Sequence, residues 1–299
     1  MVVSNVPVDG LLRGAVKASK KKLEKSLLLN TYYREFVKIN GKYTRFSDGL
    51  VDFYVKRKSG AADVYVQQSR ALKLVKKGDK AILTHNKDSI SAEDEKSLEN
   101  VNLYSLDDAI SGGYNFKIIE KILGNSKDYN FILKTRQDKS GRDLQIVAIS
   151  PKPGSKGLYS GSVTYDTKTM LILESSYAID PLYKQNTVDV KFFGFHVVLT
   201  ANEKKTIFTN DNDKYIIKYN KGRLGMHMEF RDKIDDEMEF LSDVVVNNYK
   251  ETEETPDKKA RFKGKSLYSA GNKFTTEFWK NSNALLLTAA EEKILKSVE

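Results

Sequence analysis

Thr31-Tyr32-Tyr33-Arg34-Glu35-Phe36-Val37-Lys38-Ile39-Asn40-Gly41-Lys42-Tyr43 is the stretch that decides the fold. β-Branched and aromatic residues run up to Asn40-Gly41 and resume at Tyr43. That dipeptide favours the left-handed backbone of a two-residue hairpin, so the run reads as two antiparallel strands. Beyond it, Val51, Phe53 and Val55 alternate with Asp52 and Tyr54, the period of a strand with one apolar face. Asp63–Val75 reads as a third strand.

Strand signals return after an irregular stretch, 76–125, in which Leu103–Ile110 reads as a short helix and Gly112-Gly113 as a turn. Tyr129–Leu133, Leu144–Ala148, Tyr159–Tyr165, Met170–Ala178 and Val188–Leu199 follow. Tyr215–Tyr219 ends at Asn220-Lys221-Gly222, read as a turn. Leu224–Phe230 and Glu239–Val246 come after it. Pro151–Gly157 holds two prolines and two glycines and cannot join a ladder. Lys250–Asp257 reads as an acidic loop, and Phe262–Lys265 as a further short strand.

The ends are helical. Leu12, Val16, Leu23 and Leu27 share one face of a helix over roughly Gly10–Leu28, with lysines on the other. Thr288 and Glu291 have the spacing of a capping box. About ten strands with hairpin connections give a mainly β, α+β fold. The expected architecture is a large curled antiparallel meander or half-barrel, because flat sheets of that size are uncommon. It divides as an N-terminal amphipathic helix on the sheet (1–30), the curled β domain (31–270, with the insert 76–125) and a C-terminal helical segment (271–299), one domain overall. The Gly10–Leu28 helix is the candidate to fill the concavity. Its basic face would also suit an anionic membrane, but the apolar stripe is thin and lacks Trp or Phe anchors.

The 299 residues include 50 Lys+Arg, 40 Asp+Glu, 3 His, 1 Trp, 16 Tyr, 14 Phe and no Cys. Without cysteine there is no disulfide, no thiolate nucleophile and no Cys-ligated metal. The net charge of +10 invites nucleic acid. The charge is blocky, however, with acidic stretches at 88–108 and 235–257. Lysine greatly outnumbers the arginine that reads bases and phosphates. This argues for a solubilising surface and against nucleic acid. No apolar run approaches the ~20 residues of a membrane-spanning helix, and no apolar leader is seen.

Chemistry-bearing motifs are sparse. His85, His196 and His227 lie in separate segments without a helical metal pair. His196 reads as a strand residue in an aromatic run. His227 and Glu229, two apart in a strand, point to one face, and Asp235 follows. These three form an alternative His/carboxylate site. Asp235-Asp236-Glu237 and Asn210-Asp211-Asn212-Asp213 have calcium-loop composition but not its spacing, and turn chemistry explains them. Phosphate-loop and nucleophile-elbow patterns are absent. No metal and no cofactor is expected, and the reading leans away from catalysis. The aromatics are the larger resource. Tyr32, Tyr33, Phe36, Tyr43 and Phe53 are the candidate lining of an apolar ligand site with polar tips.

Three segments carry a family resemblance. They are Tyr32–Tyr43 running on to Val51-Asp52-Phe53-Tyr54, Leu158–Asp166 with Thr169–Glu174, and Phe278-Trp279-Lys280-Asn281-Ser282-Asn283-Ala284 before Glu291–Leu295. In order and over nearly the whole chain they resemble the region after the small β-sandwich in bacterial envelope proteins named carboxypeptidase-like regulatory domain-containing. The resemblance implies an exported Gram-negative envelope protein, with a curled sheet like that of lipoprotein carriers. It brings no catalytic residues, since the name refers to the sandwich. The sandwich and a signal peptide are absent here, so the expectation is a shortened relative or a chain that begins after its leader. The expected function is non-enzymatic. A lipid or other apolar ligand, or a partner such as an outer-membrane protein, would bind the curled sheet in the periplasm or cell envelope. The alternatives are a cytoplasmic location, and a hydrolase of an envelope polymer working through His227, Glu229 and Asp235.

Overall fold

The computed structural model describes residues 7–74, 105–192, 194–211, 214–230 and 234–273. Eleven antiparallel strands form one sheet: β1 (Ser26–Ile39), β2 (Lys42–Val55), β3 (Ala62–Lys73), β4 (Tyr129–Gln137), β5 (Asp143–Pro151), β6 (Tyr159–Asp166), β7 (Ile172–Ile179), β8 (Asp189–Phe192), β9 (Phe195–Asp211), β10 (Lys214–Phe230) and β11 (Ile234–Thr252). The helices are α1 (Val8–Lys21), α2 (Asp108–Tyr114) and α3 (Lys117–Gly124).

The β1–β2 hairpin is as the sequence expects. Asn40 and Gly41 both have positive φ, 50° and 76°, and Ile39 pairs with Lys42 across the turn. The expected meander is broken twice, where β1 pairs with β11 and where β9 pairs with β7 past β8. The strand order is β3-β2-β1-β11-β10-β9-β7-β6-β5-β4, with β8 against β9, so the first strand lies beside the last. Their ladder runs from Ser26↔Thr252 to Ile39↔Met238.

That ladder also shortens the N-terminal helix. α1 stops at Lys21, and Leu27 and Leu28, expected in the helix, belong to β1, where the β11 partner satisfies their backbone. The long-range pairing outweighs a helical pattern thin at its C-terminal end.

Further expectations change. Asn220-Lys221-Gly222 is no turn, and β10 runs straight through it. Asn220 faces inward instead, donating Nδ2–H to Ala109 O (2.7 Å) and accepting from the Thr206 hydroxyl (2.8 Å). The Val188–Leu199 stretch folds back on itself as β8 and β9, with Gly194 at φ 85°. Gly112-Gly113 lies inside α2. A side chain at Gly113 would meet Ile217 Cδ1 at 2.7 Å, so the glycine lets the helix lie directly on β10. Residues 105–125 are therefore a packed helical pair, not an irregular loop. Phe262–Lys265 forms no strand, although Phe262 N–H donates to Val64 O at the β3 edge (2.8 Å). The expected C-terminal helix and Trp279 lie outside the described residues, as do His85, Asn212 and Asp213.

The core shows that the sheet curls. Val64 of β3 and Tyr129 of β4, from opposite ends of the strand order, join one buried cluster with Leu12 and Val16 of α1 and Ile110 of α2. Only a sheet wrapped around its helices can bring these together. α1 turns Leu12, Ala15, Val16 and Ser19 inward, so its apolar stripe is committed to the sheet and not to a membrane. The opposite, outer face carries charge. Arg34 meets Asp243 at 2.9 Å, Arg70 grips Asp48 with two bonds, and Arg223 lies between Glu203 and Glu239. Among the described residues, no helix is long and apolar enough to cross a membrane.

Candidate functional site

The five aromatics proposed as a ligand lining divide between the two faces. Tyr33 and Phe53 face inward and are fully buried. Tyr32, Phe36 and Tyr43 face outward. The Tyr32 hydroxyl donates to Asp48 Oδ2 (2.7 Å); burial, and then Asp48, push its pKa far above that of an ordinary tyrosine. Phe36 packs edge-on to Tyr43 and against Phe46, with the Lys38 ammonium 4.6 Å from the Tyr43 ring centre. Strand alternation requires this split, since neighbours such as Tyr32 and Tyr33 always point to opposite faces.

Glu35, not singled out from the sequence, is the more unusual inward residue. It is buried, and Oε1 accepts from the Ser47 hydroxyl (2.7 Å), the Ser266 hydroxyl (2.5 Å) and Tyr268 N–H (3.0 Å). Oε2 accepts from the Tyr33 hydroxyl (2.8 Å). Four donors satisfy the carboxylate and fasten the segment 258–273 to the sheet. The signal was present: Glu35 shares a face with Tyr33.

The inner face is filled by helices, and a cleft opens between them. A cleft of about 730 Å³ runs between the C-terminal half of α1, α3 and the β2–β3 turn. Val16, Leu23 and Leu123 form its floor. Arg13, Lys17, Lys20, Lys21 and Lys58 stand around it against two acids, Glu24 and Glu120. Arg13 reaches across to donate to Leu123 O, and Lys20 pairs with Glu120 at 2.6 Å. Lys17, Lys21 and Lys58 carry no ion pair among the described residues. On the other flank of the α1 C-terminus, a second cleft of about 590 Å³ is lined by Lys21, Lys22, Lys25 and Lys214 among others. In the first cleft, an apolar floor under the ammonium groups of Lys17, Lys21 and Lys58 suits an amphiphile with an anionic head.

The second candidate place is the outer face at the far ends of β8–β11. His227 and Glu229 share a strand and a face, and the register brings Asp235 opposite Glu229 and Glu237 opposite His227. His227 Nε2 lies 3.2 Å from Glu229 Oε1 and 3.4 Å from Asp235 Oδ1, and Nδ1 lies 3.2 Å from Glu237 Oε1. His196 joins them from β9, with Nδ1 on Glu229 Oε2 and Nε2 on Asp189 Oδ1, each at 2.8 Å. Those bonds, first to Glu229 and then to Asp189, raise the His196 pKa above the usual imidazole value. Glu229, bonded first by His196 and then by His227, is shifted downward. So the structure gathers the alternative trio and adds His196, Asp189 and Glu237, which needed the strand order to be found.

No family model matches the chain, and no curated protein matches it. Solved structures match the chain at low similarity. A LolA-superfamily protein from Nitrosomonas europaea is 10% identical, over 83% of this chain and 96% of its own, with a TM-score of 0.29. A putative outer membrane lipoprotein-sorting protein domain from Vibrio parahaemolyticus is 10% identical, over 83% of this chain and 97% of its own, with a TM-score of 0.28. The MucB of a Pseudomonas aeruginosa MucA/MucB complex is 10% identical, over 81% of this chain and 99% of its own, with a TM-score of 0.24. Likeness at this level decides nothing about ligand, partner or compartment. The curled sheet that the sequence resemblance implies is present. The carboxypeptidase-like name has no support among these matches.

Proposed function

We propose that the protein is a non-enzymatic binding protein of the cell envelope that holds a single-chain anionic amphiphile in the cleft between α1 and α3. The observation that carries this reading is the combination of the Val16, Leu23 and Leu123 floor with the ammonium groups of Lys17, Lys21 and Lys58 at the rim. The volume of about 730 Å³ falls within the ~300–1,000 Å³ typical of small-molecule sites. In this reading the chain sits in the floor and the head group meets the lysines. The curled sheet serves as the frame that sets α1 and α3 apart, and the outer aromatics serve packing. The envelope location follows the sequence resemblance and suits a carrier of lipid-like ligands.

Titration calorimetry with dodecanoate and with dodecanol tests it. Dodecanoate is expected to bind once per chain, and the double variant Lys17→Glu, Lys58→Glu to bind it at least about tenfold more weakly, since two charge reversals near one anion cost ~1.4 kcal/mol or more. Equal binding of acid and alcohol, unaffected by charge reversal, would contradict the lysine rim.

A further inference from the structure

The His/carboxylate group on the outer face lies well away from the cleft residues in the chain and on the opposite side of the sheet, and three of its ligand atoms are close enough together to hold one ion. We infer that His227, Glu229 and Asp235 form a three-ligand site for Zn²⁺, with the fourth position left to water.

The spacing of the ligand atoms comes first. Metal bonds of about 2.0–2.2 Å at tetrahedral angles put neighbouring ligand atoms roughly 3.3–3.5 Å apart. His227 Nε2 is 3.2 Å from Glu229 Oε1 and 3.4 Å from Asp235 Oδ1. One ligand atom from each of the three side chains lies within 4.8 Å of the other two. An ion entering there would draw together the most widely spaced pair of these atoms, which are no more than 4.8 Å apart.

Outer partners hold the ligands as metal ligands are commonly held. A ligating imidazole donates its other ring N–H to a carboxylate or carbonyl, which fixes the tautomer and makes the free nitrogen more basic. His227 presents Nε2 to Glu229 and Asp235, and its Nδ1 lies 3.2 Å from Glu237 Oε1. Glu229 offers Oε1 inward, and its Oε2 is engaged by His196, which is held in turn by Asp189. Glu229 therefore has one oxygen for the metal and one held by His196, while His227 places its second ring nitrogen within ion-pair distance of Glu237, and Asp235 is exposed.

Electrostatics supply the third argument. Glu229 and Asp235 stand directly opposite one another on adjacent strands, an arrangement that costs stability when both are charged. Four carboxylates, Asp189, Glu229, Asp235 and Glu237, surround two imidazoles. A divalent cation relieves that repulsion and ties β10 to β11. The mixed nitrogen and oxygen set suits Zn²⁺, whereas Ca²⁺ and Mg²⁺ prefer all-oxygen cages.

Calorimetry of the full chain with ZnCl₂ in chelator-free buffer, with circular dichroism of every variant, tests the site. One Zn²⁺ per chain is expected, not displaced by excess Mg²⁺ or Ca²⁺, together with a rise in Tm. His227→Ala and Asp235→Asn should each weaken binding by about 100-fold or more while leaving the sheet spectrum intact. His196→Gln, which touches the ligand Glu229 but not the metal, should cost about tenfold. No Zn²⁺ binding by the wild type, or affinity unchanged in folded His227→Ala, would overturn the assignment.

Discussion

The Lys20 ammonium lies 2.6 Å from Glu120 Oε1, an ion pair that joins α1 to α3 across the cleft. Both side chains are partly exposed, with 33% and 49% of their surface in solvent, so the pair adds little to stability. Its consequence is for the proposed anionic ligand. Glu120 neutralises a lysine that would otherwise serve the anion. Glu120→Gln is therefore expected to leave Tm nearly unchanged and to tighten dodecanoate binding about fivefold, the equivalent of ~1 kcal/mol. Competition with a fluorescent fatty acid measures this. Weaker binding in the variant would place the head group elsewhere.

Glu35 makes a stability prediction. Its carboxylate is buried and accepts four hydrogen bonds, from Tyr33, Ser47, Ser266 and Tyr268. Glu35→Ala strands those donors and should cost about 3 kcal/mol in urea unfolding. Glu35→Gln keeps an oxygen for the Oε1 partners and should cost only about 1 kcal/mol. Proteolysis within 258–273 should rise in parallel, because that segment is anchored there. Equal losses for the two variants would show that shape, not the hydrogen bonds, matters at this position.

Lys204 makes a pH prediction. Its ammonium donates to Asp108 O at 2.7 Å under α2. Burial pulls its pKa from 10.5 down to about 8, against the opposing pull of the Asp108 carboxylate. A lysine whose pKa is lower in the folded state opposes folding while it is charged. That cost is complete below about pH 8 and fades as pH climbs toward 10.5. Lys204→Met should therefore be more stable than wild type at pH 7, by on the order of 1 kcal/mol. The difference should shrink from about pH 8 upward. Thermal melts at several pH values give the comparison, and the tyrosine titrations cancel because both proteins share them. A less stable methionine variant at neutral pH would show that the Asp108 O contact outweighs the burial of charge.

Features set by local chemistry were legible in the sequence. Asn40-Gly41 specified a hairpin because only a left-handed turn joins those strands, and two-residue spacing was enough to place His227 and Glu229 on one face. Features set by distant pairing were not. Nothing within Ser26–Ile39 names Ile234–Thr252 as its partner, yet that ladder ends α1 early and breaks the meander. The outer His/carboxylate group could be read as far as Asp235. His196 and Asp189 needed the β8-β9-β10 order. The cleft was hidden for a different reason. Its far wall, Glu120, Leu123 and Gly124, belongs to a helix just beyond Gly112-Gly113, where paired glycines read as a turn but serve close packing. The aromatics marked the strands correctly, and alternation sends adjacent rings such as Tyr32 and Tyr33 to opposite faces.

The most direct measurement is photo-crosslinking of the full chain with a diazirine-bearing dodecanoate, followed by peptide mass spectrometry. Labels are expected on peptides holding Val16, Leu23 and Leu123, competed away by unlabelled dodecanoate and reduced in the Lys17→Glu, Lys58→Glu variant. Saturable labelling concentrated instead on the outer face, at Tyr32, Phe36 and Tyr43, would contradict it.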